Sequence, residues 1–542
     1  MTSRGRWSWV LIVFAVLGST HVLGQSGATT TFEVADVHLR PHPAGAIPAM
    51  TAPMLRDGRY DFRSATLLDL IATAYGLNKD HVVGGPNWLD WDRFDIVAKA
   101  APSATPAMIP TMLRNLLIER FHLAAHPETR PVPGYALVFK TGPSRLAQTA
   151  SPESSGSCTP QPNDQAGGVP LAVLFCRGVT MEMFAAVVKA RAGGYLDSDV
   201  SDATGVSGRW DFDLRWTPKL VLARAGADGI SLEAALDRQL GMSLERRMLN
   251  TPVLVVDAAD KTPTPNPSGV ARELPAPPPA EFDVADIKIS APDARPVGRL
   301  QAGGRLDLQG FTMKTLIRLA WSLSDDELLA GGPKWLDDTK YSVVARSTSA
   351  IGGTAGNLQI DIDDLRLMLR ALLVQRFALT THVENRPVSA YTLIADKPKL
   401  RPADPSHRTN CREGVDPGAK DPRTTNPALS RLVTCQNMTL QQFAEDLPRL
   451  AGGYIRIPVV DATGVTGAWD FTLNFSPSGP VNTAPAETAP GPAASVPMAA
   501  DPTGSLSLFD AVEHQLGLKL DMRKRPMPVL VIDSVNEKPS DN

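Results

Sequence analysis

The sequence predicts an α+β protein written twice, as two tandem homologous modules, each of about four helix-strand-strand units with small mixed sheets. Three observations carry this reading. Motifs recur in the same order in the two halves of the chain; within each half, apolar residues at helical spacing give way to apolar/polar alternation; and a Pro-rich stretch separates the halves. At 542 residues the chain is too long for one small core.

The duplication is direct. Phe32-Glu-Val-Ala-Asp-Val37 returns as Phe282-Asp-Val-Ala-Asp-Ile287, Gly84-Gly-Pro-Asn-Trp-Leu-Asp90 as Gly331-Gly-Pro-Lys-Trp-Leu-Asp337, and Glu119-Arg-Phe-His-Leu123 as Gln375-Arg-Phe-Ala-Leu379. Further on, Asp202-Ala-Thr-Gly-Val-Ser-Gly208 returns as Asp461-Ala-Thr-Gly-Val-Thr-Gly467, Gln239-Leu-Gly241 as Gln515-Leu-Gly517, and Pro252-Val-Leu-Val-Val-Asp257 as Pro528-Val-Leu-Val-Ile-Asp533. The offset widens along the chain, so the second copy carries insertions, read as a disordered Pro/Ala-rich stretch at about 477–505.

Taken in order, Leu67, Leu68, Ile71 and Ala74 stand at helical spacing, as do Leu316, Ile317, Ala320 and Trp321. After the Gly-Gly-Pro turn, Phe94, Ile96 and Ala98 alternate with Asp95, Val97 and Lys99, a half-buried strand matched by Tyr341, Val343 and Ala345. Met112, Leu113, Leu116 and Leu117 mark a second helix, matched by Leu365, Met368, Leu369, Leu372 and Leu373, and two strands follow at 122–130 and 135–140. A third helix holds Phe184, Ala185 and Val188; the Asp-Ala-Thr-Gly turn then leads to a strand with Trp210, Phe212, Leu214 and Trp216 on one face. A fourth helix starts at Ser231 as N-cap and stops at Gly241, and each copy closes on a buried strand at 253–256.

The boundaries expected are a signal peptide at 1–24, a first module at 31–258, a Pro-rich linker at 259–280 and a second module at 281–534. Arg4 and Arg6, a short apolar stretch from Trp7 and small residues up to Gly24 have the layout of a secretory signal. The apolar run is shorter than a spanning helix needs, so no stable membrane span is expected after cleavage. An exported chain, periplasmic or extracellular, is the setting in which disulfides persist. Cys158 and Cys176 precede the third helix, and Cys411 and Cys435 occupy the same place in the second copy. That recurrence favours Cys158–Cys176 and Cys411–Cys435 over the other two pairings.

Candidate contacts are few. His126, Glu128 and Arg130 alternate, as do His382, Glu384 and Arg386, so each trio projects from one strand face. His and Glu at that spacing are metal-binding or proton-shuttling types, but no third ligand lies nearby in sequence, and a solvated, charge-paired face is the favoured reading. The Asp-Ala-Thr-Gly segments are read as turns rather than calcium loops. H-E-x-x-H, G-x-S-x-G and phosphate-cradle motifs are absent, so no catalytic residue, metal or cofactor is assigned. A net charge of −3 gives no nucleic-acid footprint.

Thr66 to Tyr75, the Gly-Gly-Pro-x-Trp-Leu turn, Arg120-Phe-His-Leu-x-x-His-x-Glu-x-Arg130, the Asp-x-Thr-Gly-x-x-Gly-x-Trp-Asp-Phe segment and the closing Pro-Val-Leu-Val-Ile-Asp resemble a family of soil-associated secreted bacterial proteins of unknown function. The resemblance covers both copies. A typical member carries one unit, and the tandem form departs from that. Trp321 also stands where the first copy has Tyr75. The resemblance implies no activity. Its helix-strand-strand units are similar to the short N-terminal domains of secretins and TonB-dependent receptors, which implies contacts outside the cytoplasm. The function expected is an exported, non-enzymatic binding or protein-interaction module, with an extracytoplasmic protein or glycan as partner. The alternative is an envelope or extracellular hydrolase using the His/Glu/Arg cluster of each module.

Overall fold

The computed structural model describes residues 30–40, 50–140, 145–149, 156–166, 169–192, 194–196, 198–225, 228–277, 280–301, 304–347, 351–352, 359–360, 362–415, 421–424, 426, 429–478 and 505–540. The expected signal peptide and nearly all of the 477–505 insertion lie outside them.

In the first copy, β1 (Val34–Arg40), β2 (Met54–Arg56), β3 (Arg59–Thr66), α1 (Leu67–Tyr75), β4 (Val82–Gly84), β5 (Arg93–Lys99) and α2 (Ile109–Phe121) build the first lobe. Its antiparallel sheet has the order β1-β5-β3-β2. Phe94, Ile96 and Ala98 point into the lobe against both helices. A capping box starts α1: Thr66 Oγ1 accepts from Asp69 N at 3.1 Å, and Asp69 Oδ2 accepts from Thr66 N at 2.9 Å. Gly76 ends it at φ 65°, a left-handed conformation that costs glycine little.

The chain then enters β6 (Ala124–Phe139), crosses to a second lobe and returns. That lobe comprises β7 (Ala147–Gln148), β8 (Ser157–Ala166), β9 (Val169–Val179), α3 (Met181–Arg191), β10 (Val200–Asp202), β11 (Trp210–Trp216), α4 (Lys219–Ala225) and α5 (Leu232–Ala235), which runs on into a π-turn at Leu236–Leu240. Its sheet order is β7-β11-β9-β8, and the Cys158–Cys176 disulfide joins directly paired residues of β8 and β9. A short helix α6 (Val270–Glu273) follows the return strand β12 (Met242–Ala258).

β6 and β12 pair antiparallel over almost their whole length, from Ala125 opposite Val256 to Phe139 opposite Met242. One end of this ribbon puts Leu254 and Val256 into the first lobe's core, and the other puts Leu137 and Met242 into the second lobe's core. β4 and β10 join its two ends in parallel.

The second copy repeats this plan. Its first lobe has β13 (Val284–Ile289), β14 (Val297–Gln301), β15 (Arg305–Thr312), α7 (Met313–Trp321), β16 (Leu329–Gly331), α8 (Trp335–Asp338), β17 (Lys340–Arg346), the small pair β18 (Ile351–Gly352) and β19 (Gln359–Ile360), and α9 (Ile362–Phe377). The ribbon strand β20 (Thr380–Ala395) leads to β21 (Arg401–Pro402), β22 (Asn410–Glu413), β23 (Arg431–Met438), α10 (Leu440–Leu450), β24 (Val459–Asp461), β25 (Trp469–Phe475) and α11 (Leu508–Leu516), and β26 (Leu518–Ser534) returns. Cys411 and Cys435 are bridged across β22 and β23. In the chain-entropy picture, closing loops of this size contributes roughly 3 kcal/mol each.

The fold is broadly α+β, as the sequence predicts, but the elements do not group into four successive helix-strand-strand units. Each copy is two lobes on one ribbon. The strands expected separately at 122–130 and 135–140 are one strand, Ala124–Phe139, with His122 before it as the left-handed cap of α2 at φ 47°. The strand expected at 253–256 is the end of a 17-residue one. The copies also touch. Asp364 accepts from Arg56 at 3.4 Å and from Arg63 at 3.3 Å, and the Asn87 carbonyl accepts from Thr409 N at 2.8 Å.

The Pro-rich stretch after β12 lies against the first lobe. Arg120, buried at 4% exposure, donates from Nη1 to the Ala35 carbonyl at 3.0 Å and from Nε to the Thr264 carbonyl at 3.1 Å. Its counterpart Arg376 is half-buried and donates from Nε to the Ser540 carbonyl at 3.0 Å. Arg120→Met strands the buried Ala35 carbonyl, removes the part-buried bonds to Thr264, and is expected to cost about 3 kcal/mol in denaturant unfolding of the full chain, whereas Arg376→Met costs about 1 kcal/mol or less. Equal losses would show that the Pro-rich stretch contributes nothing to the first lobe.

Candidate functional site

The ribbon decides where the sequence-predicted trios go. In β6, Tyr135 donates its N–H outward to the Asp199 carbonyl at 2.8 Å, so odd-numbered residues turn their N–H away from β12. Pro127, Pro131 and Pro133 all share that parity and remove no ribbon bond. His126, Glu128 and Arg130 stand on the alternate positions, opposite Val255, Val253 and Thr251. Their strand partner's other face sends Leu254 and Val256 into the first core. The trio therefore rides on a strand pair anchored from behind, with its side chains in water.

The structure brings each trio together and adds a fourth member. His126 Nδ1 lies 2.9 Å from Asp257 Oδ2, His126 Nε2 lies 3.9 Å from Glu128 Oε2, and Arg130 Nη2 donates to Glu128 Oε2 at 2.7 Å. In the second copy, His382 Nδ1 lies 2.8 Å from Asp533 Oδ1, His382 Nε2 lies 3.9 Å from Glu384 Oε2, and Arg386 Nη2 donates to Glu384 Oε2 at 2.9 Å. The 3.9 Å contacts are ion-pair distances, too long for hydrogen bonds. Asp257 thus faces Nδ1 of His126, and Nε2 is the ring nitrogen turned toward Glu128. The Arg130 hydrogen bond holds the Glu128 carboxyl below its ordinary range, so Glu128 stays ionised.

Asp257 and Asp533 were missed by the sequence reading, which used the closing Pro-Val-Leu-Val-(Val/Ile)-Asp motif only as a strand. The signal was present: the Asp follows the buried run in both copies, two residues beyond the valine opposite the histidine.

All eight side chains are exposed by between 41% and 52%. Among the described residues no group of three or more His, Cys, Asp or Glu is placed to hold a metal ion. Thr380 Oγ1 and Ser534 Oγ lie 2.8 Å apart beside the His382–Asp533 pair, whereas the first copy has Ala124 and Ala258 there. All four cysteines are bridged. The Asp-Ala-Thr-Gly segments are Asx turns, with Thr204 N donating to Asp202 Oδ1 at 2.8 Å and Thr463 N to Asp461 Oδ1 at 2.9 Å. Trp88 and Trp210 pack partly buried against the two cores of the first copy, and Trp335 and Trp469 do so in the second.

The two copies fasten the turn before the short parallel strand differently. In the first, His81 pairs with Asp199. In the second, Glu327 accepts from Ser389 N at 2.6 Å, from Ser389 Oγ at 2.8 Å and from Lys524 Nζ at 2.8 Å, tying that turn to both ribbon strands. Led by the Lys524 bond, these contacts pull the Glu327 carboxyl down from 4.5 to about 2. A depressed folded-state value stabilises the fold above the unfolded value, and the contribution fades as pH falls toward the folded one. Glu327→Gln is expected to lower the unfolding midpoint at neutral pH, with the difference from wild type vanishing as pH falls from 4.5 to about 2. A pH-independent difference would contradict this.

No helix among the described residues is long and apolar enough to cross a membrane. No curated protein and no solved structure matches the chain. One family model does, over residues 68–259 and again over 314–535, most of the length of both copies. The chain therefore belongs to the family described as Protein of unknown function (DUF3738), of which it carries two copies.

Proposed function

We propose that the chain is an exported, non-enzymatic binding protein that presents one charged ribbon face twice to an extracytoplasmic protein or glycan. The modules run over 31–258 and 281–534, after a signal peptide removed near residue 24. The observation that carries the reading is the repetition itself: the Asp-His-Glu-Arg row recurs with closely matching distances on an exposed, two-stranded surface. A row whose charged groups are paired with one another holds hydrogen-bonding groups at fixed spacing, which suits recognition of a polar surface. Two such rows on one chain raise avidity for a repeated partner.

The alternative, an envelope or extracellular hydrolase, draws on the His–Asp pairing, an arrangement that orients imidazole bases. A side-chain hydroxyl nucleophile is not common to both copies, because the hydroxyls beside the second row are alanines in the first, so this reading requires a water activated by the histidine.

The test immobilises the mature, oxidised protein and passes native envelope and secreted fractions over it. Replacing Glu128, Arg130, Glu384 and Arg386 together by Ala is expected to abolish retention of whatever the wild type holds, while His126→Ala with His382→Ala weakens it. If the wild type instead releases soluble fragments from envelope material and the double histidine variant does not, the hydrolase reading replaces this one.

A further inference from the structure

Among the described residues every sheet is built within one copy, so the copies are joined by docking rather than by shared strands. The first lobe of the first copy touches both lobes of the second. On one side β18 lies beside β2. There the Asp364 carboxylate, in the first turn of α9 and only 8% exposed, meets Arg63 at 3.3 Å and Arg56 at 3.4 Å, both largely buried themselves. On the other side, the turn after β4 meets the residues that lead into β22. Thr409 N donates to the Asn87 carbonyl, and Arg408 Nη1 lies 3.4 Å from Asp90 Oδ1, the two side chains being 20% and 13% exposed. Next to them Trp91 packs against the core of the second copy's second lobe.

Trp and Arg anchors amid desolvated ion pairs are the make-up of a specific protein interface. Parting such pairs strands each charge, unless water reaches it. The duplication does not repeat these residues. The second copy has Lys334 and Asp338 where the first has Asn87 and Trp91, and its Asp337, the counterpart of Asp90, is exposed and paired with Lys314 of its own copy. The first copy has Ser155-Gly-Ser157 before Cys158 where the second has Arg408-Thr-Asn410 before Cys411, and Met108 where the second has Asp364. Each docking face therefore occurs once per chain. The contact closes within the chain and has no complementary faces left over to extend from one chain to the next.

We infer that the second copy is a dedicated docking partner of the first: a charge-matched interface, Asp364 with Arg56 and Arg63, and Arg408 with Asp90 beside the Trp91 anchor, holds the copies as one body independently of the covalent link between them. The Pro-rich stretch then serves the first lobe, to which Arg59 fastens it by donating from Nη1 to the Pro275 carbonyl at 2.6 Å, and does not set the spacing of the copies. The inference goes beyond the recognition reading and does not depend on it.

The test cuts the full oxidised chain at a protease site placed between Pro275 and Glu281, where Ala276, Pro277 and Ala280 are exposed. After complete cleavage the two halves are expected to elute together from size exclusion at about 10 μM. Asp364→Arg combined with Arg408→Glu is expected to part them, weakening association by about a hundredfold or more. Misfolding would also part them, so Arg408→Glu is made alone and then together with Asp90→Arg. The reversed pair is expected to restore affinity to within about tenfold of wild type, which an unfolded half cannot do. Wild-type halves that separate on cleavage would overturn the inference. So would charge-reversed halves that stay together, or an Arg408→Glu loss that Asp90→Arg leaves unrepaired. A dimer of the uncut chain that Arg408→Glu dissolves would overturn it as well, by placing the same contact between chains.

Discussion

Each copy depends on one interaction, the antiparallel pairing of two very long strands. Neither lobe closes its core alone: the first needs Leu254 and Val256 from β12, and the second needs Leu137 from β6 and Met242 from β12. In the second copy Leu530 and Ile532 serve one lobe, and Leu393 and Leu518 the other. A one-residue slip would turn both sets of apolar side chains outward at once, so two cores at opposite ends fix a single register. The same register aligns His126 with Val255 and sets Asp257 beside it, and it does so again for His382 and Asp533. The candidate recognition row is thus a by-product of the pairing that holds the lobes. A long ribbon with exposed edges invites association, and the prolines at outward positions, together with Pro387, Pro526 and Pro528 in the second copy, remove the donors another strand would need.

The copies diverge where the ribbon does not constrain them. The neck before α5 is closed in the first copy by Thr217 N donating to the Ile230 carbonyl at 2.8 Å, and the neck before α11 in the second by Ser476 N donating to the Leu506 carbonyl at 2.8 Å. Tyr195 and Tyr454 each donate a hydroxyl to that neck residue's carbonyl. With both ends of the loop tied at one point, lengthening it costs little, because closure entropy grows only slowly with length. The insertion of the second copy falls at this neck.

Local signals in the sequence were legible because they are enforced locally. The stripe Leu67, Leu68 and Ile71, the cap at Ser231, the stop at Gly241 and the Asx turns at Asp202 and Asp461 each depend on a few neighbouring residues, and the duplication made every one of them visible twice. The ribbon was not legible, since Pro127, Pro131 and Pro133 break a strand pattern unless the parity of the pairing is known. Asp257 escaped for the same reason: its partner lies 131 residues away and meets it only through the strand register. Arg120 stands near the end of a helix, where nothing in the neighbouring sequence marks it as buried. Its burial comes from Thr264 and Asn266, in a stretch whose composition argues against any packed role.

The most direct test of the central claim, that the ribbon binds each copy into one unit, is native-state hydrogen exchange read by peptide fragments. If the ribbon completes both cores, fragments covering 124–139 and 242–258 exchange with the same opening free energy as those covering α1 and α3. Should the α3 fragments exchange freely while α1 and the ribbon stay protected, the lobes would be independent bodies joined by a passive hairpin, and the account would fail.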